Sequence, residues 1–145
     1  MPIRTSTVTK IYLAAPVVTD QDKKEKTSEI LMRLRRDSTL EVYNPSELKI
    51  PNAWGMSMEE WSRCVFSFDV KAIDDADWII ILDYGRHGTA GTAWEAGYAF
   101  AKGKPALLIR MDPNTDYSLM ITGGSANICT YEQFISSSDV HNLLY

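Results

Sequence analysis

Cysteine is scarce in this chain, with two residues, Cys64 and Cys129, among 145. A chain of this length buries roughly 70% of its unfolded surface without covalent staples. Two thiols therefore exclude a disulfide framework and a cysteine-built zinc site, and both are expected to be buried. Basic runs are missing too. Lys and Arg number 15 against 19 Asp and Glu, for a net charge of -4, and no Lys/Arg cluster is long enough to form a polyanion patch, so nucleic acid is not an expected partner. Long apolar runs are also absent. The longest aliphatic stretch, Trp78 to Leu82, is far too short to span a bilayer, and the opening MPIRTSTVTK is polar where a signal peptide would be apolar. With neither repeats nor low-complexity segments, these absences point to a cytoplasmic protein without a membrane partner.

What is present is a near-average globular composition, 45% hydrophobic and 23% charged, which fits one domain over residues 1–145. TKIYLAAP reads as a buried strand stopped by Pro16, and the segment after it carries Ile30, Leu31 and Leu34 at helical spacing. TLEVYNP gives a second strand. Ser57 and Glu60 have capping-box spacing and open a helix expected to bury Trp61, Val65, Phe68 and Ala72. DWIIILD is the strongest strand; GTAWEAGYAFAKG follows as a helix closed by Gly103, then the strand KPALLIR. A loop from Met111 to Gly124, a short strand at Asn127 to Cys129 and a helix from about Tyr131 complete the chain. Nearly continuous apolar strands alternating with helices predict an α/β fold: a doubly wound, Rossmann- or flavodoxin-like, five-stranded parallel sheet with helices on both faces.

Such sheets bind ligands beyond the carboxyl ends of their strands, where strand order reverses. The segments available there are Tyr12 to Pro16, which includes Ala14, then Asp83 to Glu95 and Ser118 to Gly124, with Asp69 approaching from the preceding helix. Gly85, Gly88 and Gly91 lie in this region, but their spacing is neither the dinucleotide fingerprint nor a P-loop, so an NAD or ATP site is not supported. Glu95 admits two readings. It closes a Thr92-Ala-Trp-Glu95 capping box, or it faces a substrate across a helix start that Gly88, Ala90 and Gly91 leave unshielded. His87 is a candidate acid or base but equally a solvated loop residue, and His141 is weaker still. Tyr12 and Met120 read as core or contact residues, and Asp69 as a solvated helix residue or a site group. Asp74, Asp75 and Asp77 read as loop solvation.

The combination IYLAAP, FDVKAIDDADWIIIL, GTAGTAWEAGYAFAKGKPALLI and DYSLMITGG resembles the nucleoside 2-deoxyribosyltransferase family, including its nucleotide N-glycosidase branches, over about Lys10 to Phe134. The resemblance implies Glu95 as the nucleophile on the anomeric carbon, Tyr12 as the residue orienting it, and Asp69 as the proton donor beside sugar and base. It also implies that Ser118 to Met120 is lent to a neighbouring subunit's site. A homo-oligomer, at least a dimer, is therefore expected, and the apolar loop residues Trp54, Met56 and Met58 give a further reason for one. Small-molecule nucleosides or nucleotides and nucleobases are the implied partners, with substrate contacts at Ala14, Pro16, Gly88, Thr89, Gly91, Ser118 and Met120.

The residue types suit that chemistry. Breaking a C–N glycosidic bond passes through an oxocarbenium-like state, so a carboxylate beneath the anomeric carbon stabilises it and can trap the sugar, while the departing base needs a proton. No metal or organic cofactor is required, and no ligand cluster is visible along the chain. Six residues before the nucleophile, family transferases usually carry an aspartate for sugar hydroxyls, and this chain has Thr89. A neutral hydroxyl there, with Ser118, leans toward a 5'-monophosphate and hydrolysis. Against this, the first loop reads APVVT without the arginine hydrolases often carry, and the chain ends in Tyr145, where transferases can present a terminal carboxylate to the site. Transfer of 2-deoxyribose between bases is placed ahead of monophosphate hydrolysis. A non-catalytic nucleotide-binding module is the remaining alternative; a carboxylate facing the sugar argues against it.

Overall fold

The computed structural model describes residues 8–85 and 89–145. The elements are β1 (Thr9–Ala14), α1 (Gln21–Arg36), β2 (Leu40–Tyr43), α2 (Met58–Asp75), β3 (Trp78–Asp83), α3 (Ala90–Ala101), β4 (Ala106–Arg110), α4 (Leu119–Gly124), β5 (Asn127–Thr130), α5 (Tyr131–Ser136) and α6 (His141–Leu144). All five strands are parallel in the order β2-β1-β3-β4-β5. This is the flavodoxin-like order, with its switch point between β1 and β3.

The period-2 alternation of the strands divides the core in two. Ile11, Leu13, Ile80 and Leu82 face α1 through Ile30 and Leu34, and reach Phe134 of α5 and Leu144 of α6. Tyr12, Ala14, Ile79 and Ile81 point the other way, toward Ile73 of α2 and Ala99 of α3. Ala14, Ala99 and Ala106 on this second face are small, which lets α3 lie close to the sheet. The side chains of α3 are thereby brought within reach of β1.

Helix starts follow local chemistry. Asp20 accepts from the Lys23 amide at 3.2 Å to open α1, and Ser57 accepts from the Glu60 amide at 3.1 Å to open α2. The exit from β3 depends on Gly85. Its φ is +99°, and a Cβ there would lie 2.8 Å from Thr115 Cβ, so only glycine fits. Its amide donates to Asp83 Oδ1 at 2.9 Å, which fixes the turn toward α3.

Several expectations need correction. The expected loop from Met111 to Gly124 ends in α4, which Ser118 caps by accepting from the Ile121 amide at 3.3 Å. The C-terminal region forms two short helices rather than one. Cys129 is buried, but Cys64 is half-buried. In α2 the buried residue is Ile73, while Trp61 and Phe68 stay 43% and 52% exposed. Asp74 and Asp77 are not simply solvated: Asp74 accepts from the Tyr98 hydroxyl at 2.7 Å and Asp77 from the Lys10 amide at 2.8 Å. No helix among the described residues is long and apolar enough to cross a membrane.

Candidate active site

Tyr12 of β1 pairs in register with Tyr43 of β2. Residues at one rung of adjacent parallel strands leave the sheet on the same face, so the two rings stack at 5.5 Å between centroids and 18° between planes. Each phenol then reaches a different carboxylate. The Tyr12 hydroxyl donates to Glu95 Oε2, and the Tyr43 hydroxyl donates to Asp69 Oδ1 at 3.0 Å. The two acids thus stand beside one another, each with its own phenolic donor.

This geometry bears on the capping-box reading of Glu95. Helix α3 begins at Ala90 with Thr89 in the N-cap position, and the Ala93 amide donates to the Thr89 carbonyl at 2.8 Å. Thr92, the expected cap, is buried inside the first turn. Glu95 therefore sits in the second turn, and its carboxylate meets Tyr12 instead of the helix start. The cap reading falls.

Burial dominates the electrostatics. Loss of water pushes the Glu95 carboxyl up to about 7, Tyr12 donation opposes the rise, and the Asp69 charge adds to it. Asp69 is raised by burial against the opposing hydrogen bond from Tyr43. Both phenols rise: Tyr43 to about 12, first by burial and then by Asp69, and Tyr12 further, by burial and by Glu95. They remain donors at neutral pH. Two nearby acids in a poorly solvated site favour one ionised and one protonated partner.

Asp69, Val65 and Trp61 lie at intervals of four on one face of α2, and they form a wall between two recesses. One, of about 360 Å³, holds Glu95, Gly91 and Trp94. The other, of about 620 Å³, is bordered by Pro16 and by the 44–50 segment that follows β2. These volumes are in the range of small-molecule sites. The wall explains why Trp61 is not a core residue.

The remaining expected site residues fall in different places. Pro16 and Gly91 line the recesses, and Thr89 stands at the N-cap position of the Glu95 helix. Ala14 is enclosed on the α2/α3 side of the sheet and borders neither recess. Gly88 and His87 lie outside the described residues. Ser118 and Met120 border a separate groove of about 380 Å³ against Ala93, Gly97 and Phe100, on another face of α3 from Glu95. Met120 is 85% exposed. Within one chain they do not meet Glu95.

Tyr145 packs its ring on Trp78 of β3 at 5.6 Å, at the amino-terminal edge of the sheet, so it does not reach the site of its own chain. His141 lies at that edge as well, 2.7 Å from Thr39 Oγ1 and 3.5 Å from Asp37 Oδ2. Contrary to the expectation of no ligand cluster, Asp37, Asp139 and His141 bring potential ligand atoms within 4.8 Å of one another. Asp37 is distant along the chain from Asp139 and His141, which hid the grouping, and the three bond to Thr39 and the α6 backbone.

Sequence reasoning missed Tyr43. The available signal was its place near the end of a strand, as with Tyr12, but strand order was needed to join them.

The sequence model of the nucleoside 2-deoxyribosyltransferase family matches residues 11–134. The chain belongs to this family. Among solved structures, this deoxyribosyltransferase-family chain is similar to the 2-deoxyribosyltransferase of Bacillus psychrosaccharolyticus, at 28% identity and a TM-score of 0.75, over 92% of this chain and 95% of that one. A conserved protein of Enterococcus faecalis shares the fold at 21% identity and a TM-score of 0.68, covering 89% and 96% of the two chains. So does the CMP N-glycosidase of Clostridium botulinum, at 22% identity and 0.60, covering 91% and 98%. No curated protein sequence matches the chain significantly. The family comprises nucleoside deoxyribosyltransferases and N-glycosidases.

Proposed function

We propose that this chain cleaves the N-glycosidic bond of a deoxynucleoside through a covalent glycosyl-enzyme on Glu95 and passes the 2-deoxyribosyl group to another nucleobase. The observation that carries the reading is the Glu95 carboxylate, desolvated, oriented by Tyr12 and sharing a recess with Asp69. A Glu95 oxygen bonds to C1' as the C1'–N bond breaks, and the departing nitrogen takes the Asp69 proton. An incoming base nitrogen then displaces Glu95 from C1' and returns a proton to Asp69. The step requires Glu95 ionised and Asp69 protonated, the reverse of the resting order in which the Asp69 charge raises Glu95, so a proton passes from one acid to the other before the bond breaks.

A second reading, hydrolysis of a nucleoside 5'-monophosphate, is favoured by Thr89 at the amino end of α3, where a neutral hydroxyl and backbone amides suit an anion. The transfer reading leads because the first loop, Ala15 to Val18, offers no cation. Base exchange between a nucleoside and an excess of free base, followed by chromatography, is the test. Release of base from monophosphates without any exchange on nucleosides would replace transfer with hydrolysis.

The same reading includes an oligomer, at least a dimer, in which the partner's Ser118-to-Met120 segment completes the site. Leu119, Met120 and Phe100 are exposed on the α3/α4 side of the isolated chain, which supports an apolar contact there. A monomeric mass in light scattering with activity retained would refute it.

A further inference from the structure

We infer that Tyr43 is a positioning residue for the reaction, one that dictates which oxygen of Asp69 delivers the proton; this deepens the reading of Asp69 as general acid and rests on it. The Tyr43 hydroxyl donates to Asp69 Oδ1 at 3.0 Å. An oxygen already accepting a phenolic O–H is the poorer place for a carboxylic proton. The acidic hydrogen of Asp69 is therefore held on Oδ2, and the carboxyl plane is held in one orientation. Stacking on Tyr12 fixes the Tyr43 ring in turn, so the donor to the acid and the donor to the nucleophile are aligned as one unit. Burial and the hydrogen bond to Asp69 keep the Tyr43 phenol protonated throughout the neutral range, so it does not compete as the acid.

The inference separates substrates by leaving group. An ordinary nucleobase needs a proton as the bond breaks, and positioned general acids contribute about 10² to 10⁴ in rate. A 4-nitrophenyl 2-deoxyriboside departs as a stabilised phenolate and needs none. Tyr43→Phe keeps the ring stack and removes only the donor. It is expected to lower kcat on a deoxynucleoside by about ten-fold, a part of the general-acid contribution, with KM little changed and a loss on the nitrophenyl substrate at least about five-fold smaller. In an Asp69→Asn background the same change should cost almost nothing more, since the two residues act as one.

Equal losses on both substrates, or a full additional loss in the Asp69→Asn background, would overturn the inference. Tyr43→His, which keeps a ring and a donor, must show the smaller selective loss, and it serves alone if Tyr43→Phe does not fold. A wild-type protein that cleaves neither substrate would instead overturn the reading of the site itself, and this inference with it.

Discussion

Replacing Glu95 by glutamine separates what the carboxylate does for chemistry from what it costs the fold. Burial raises its ionisation from 4.5 in the unfolded chain to about 7 in the folded one, a difference worth about 3 kcal/mol. A carboxyl with a raised folded value supports the fold while protonated. That support is complete below pH 4.5 and is lost as pH climbs through about 7. At pH 8 the wild type thus holds an anion in a recess poor in water, balanced in part by Tyr12. Glutamine has nearly the same shape, can accept the Tyr12 hydroxyl and carries no charge. Urea unfolding of Glu95→Gln and wild type at half-unit steps from pH 4.5 to 8.5 should give curves whose separation grows with pH. By pH 8 the variant should be favoured by about 2 to 3 kcal/mol more than at pH 4.5. The same variant should lose at least about 10³ in turnover on nucleosides. A separation that stays constant with pH would show that Glu95 is well solvated and that the electrostatic account of the site is wrong. A variant retaining near-wild-type turnover would remove Glu95 as nucleophile.

Other consequences are testable with equally simple measurements. Combining Thr89→Ala with Ser118→Ala should raise KM for a nucleoside 5'-monophosphate about ten-fold more than for the matching nucleoside if a dianion is bound there, because charge-assisted hydrogen bonds are roughly twice as strong as neutral ones; equal changes in steady-state KM would favour a nucleoside substrate. Met120→Glu, on the exposed side of the α3/α4 groove, should lower the mass seen by light scattering and the activity together, whereas activity in a stable monomer would refute the shared site. Gly85→Ala should cost about 2 to 4 kcal/mol in urea unfolding, the sum of a left-handed backbone and the Thr115 clash; a loss under about 1 kcal/mol would show that the turn can rearrange.

The architecture was legible because the central strands β1, β3 and β4 are almost wholly apolar, and that pattern has few explanations besides a sheet covered on both faces. Glu95, Asp69 and Tyr12 were singled out through the family resemblance, and the geometry brings them together, two of them by a direct hydrogen bond. Two things were hidden. The start of α3 was misplaced by three residues because GTAGTAWE offers threonine as cap at either 89 or 92, and only the second places Glu95 at the helix mouth. Tyr43 was invisible as a site residue because its importance comes from lateral pairing, and nothing local to LEVY says which strand lies beside it. The exposure of Trp61 and Phe68 escaped for a related reason. Helical periodicity identifies an apolar stripe, but it does not say whether the stripe meets the core, a recess or another chain.

The rung shared by Tyr12 and Tyr43 has a consequence for how the protein comes to be correct. β2 is an edge strand of four residues, held to the sheet on one side only. A slip of one residue against β1 would turn Tyr43 toward α1 and strip Asp69 of its donor, while disturbing little of the central core. Misregistered molecules would be well folded by most spectroscopic criteria and impaired in turnover. Specific activity in a refolded sample thus counts the fraction of chains whose outermost strand has docked in the right frame.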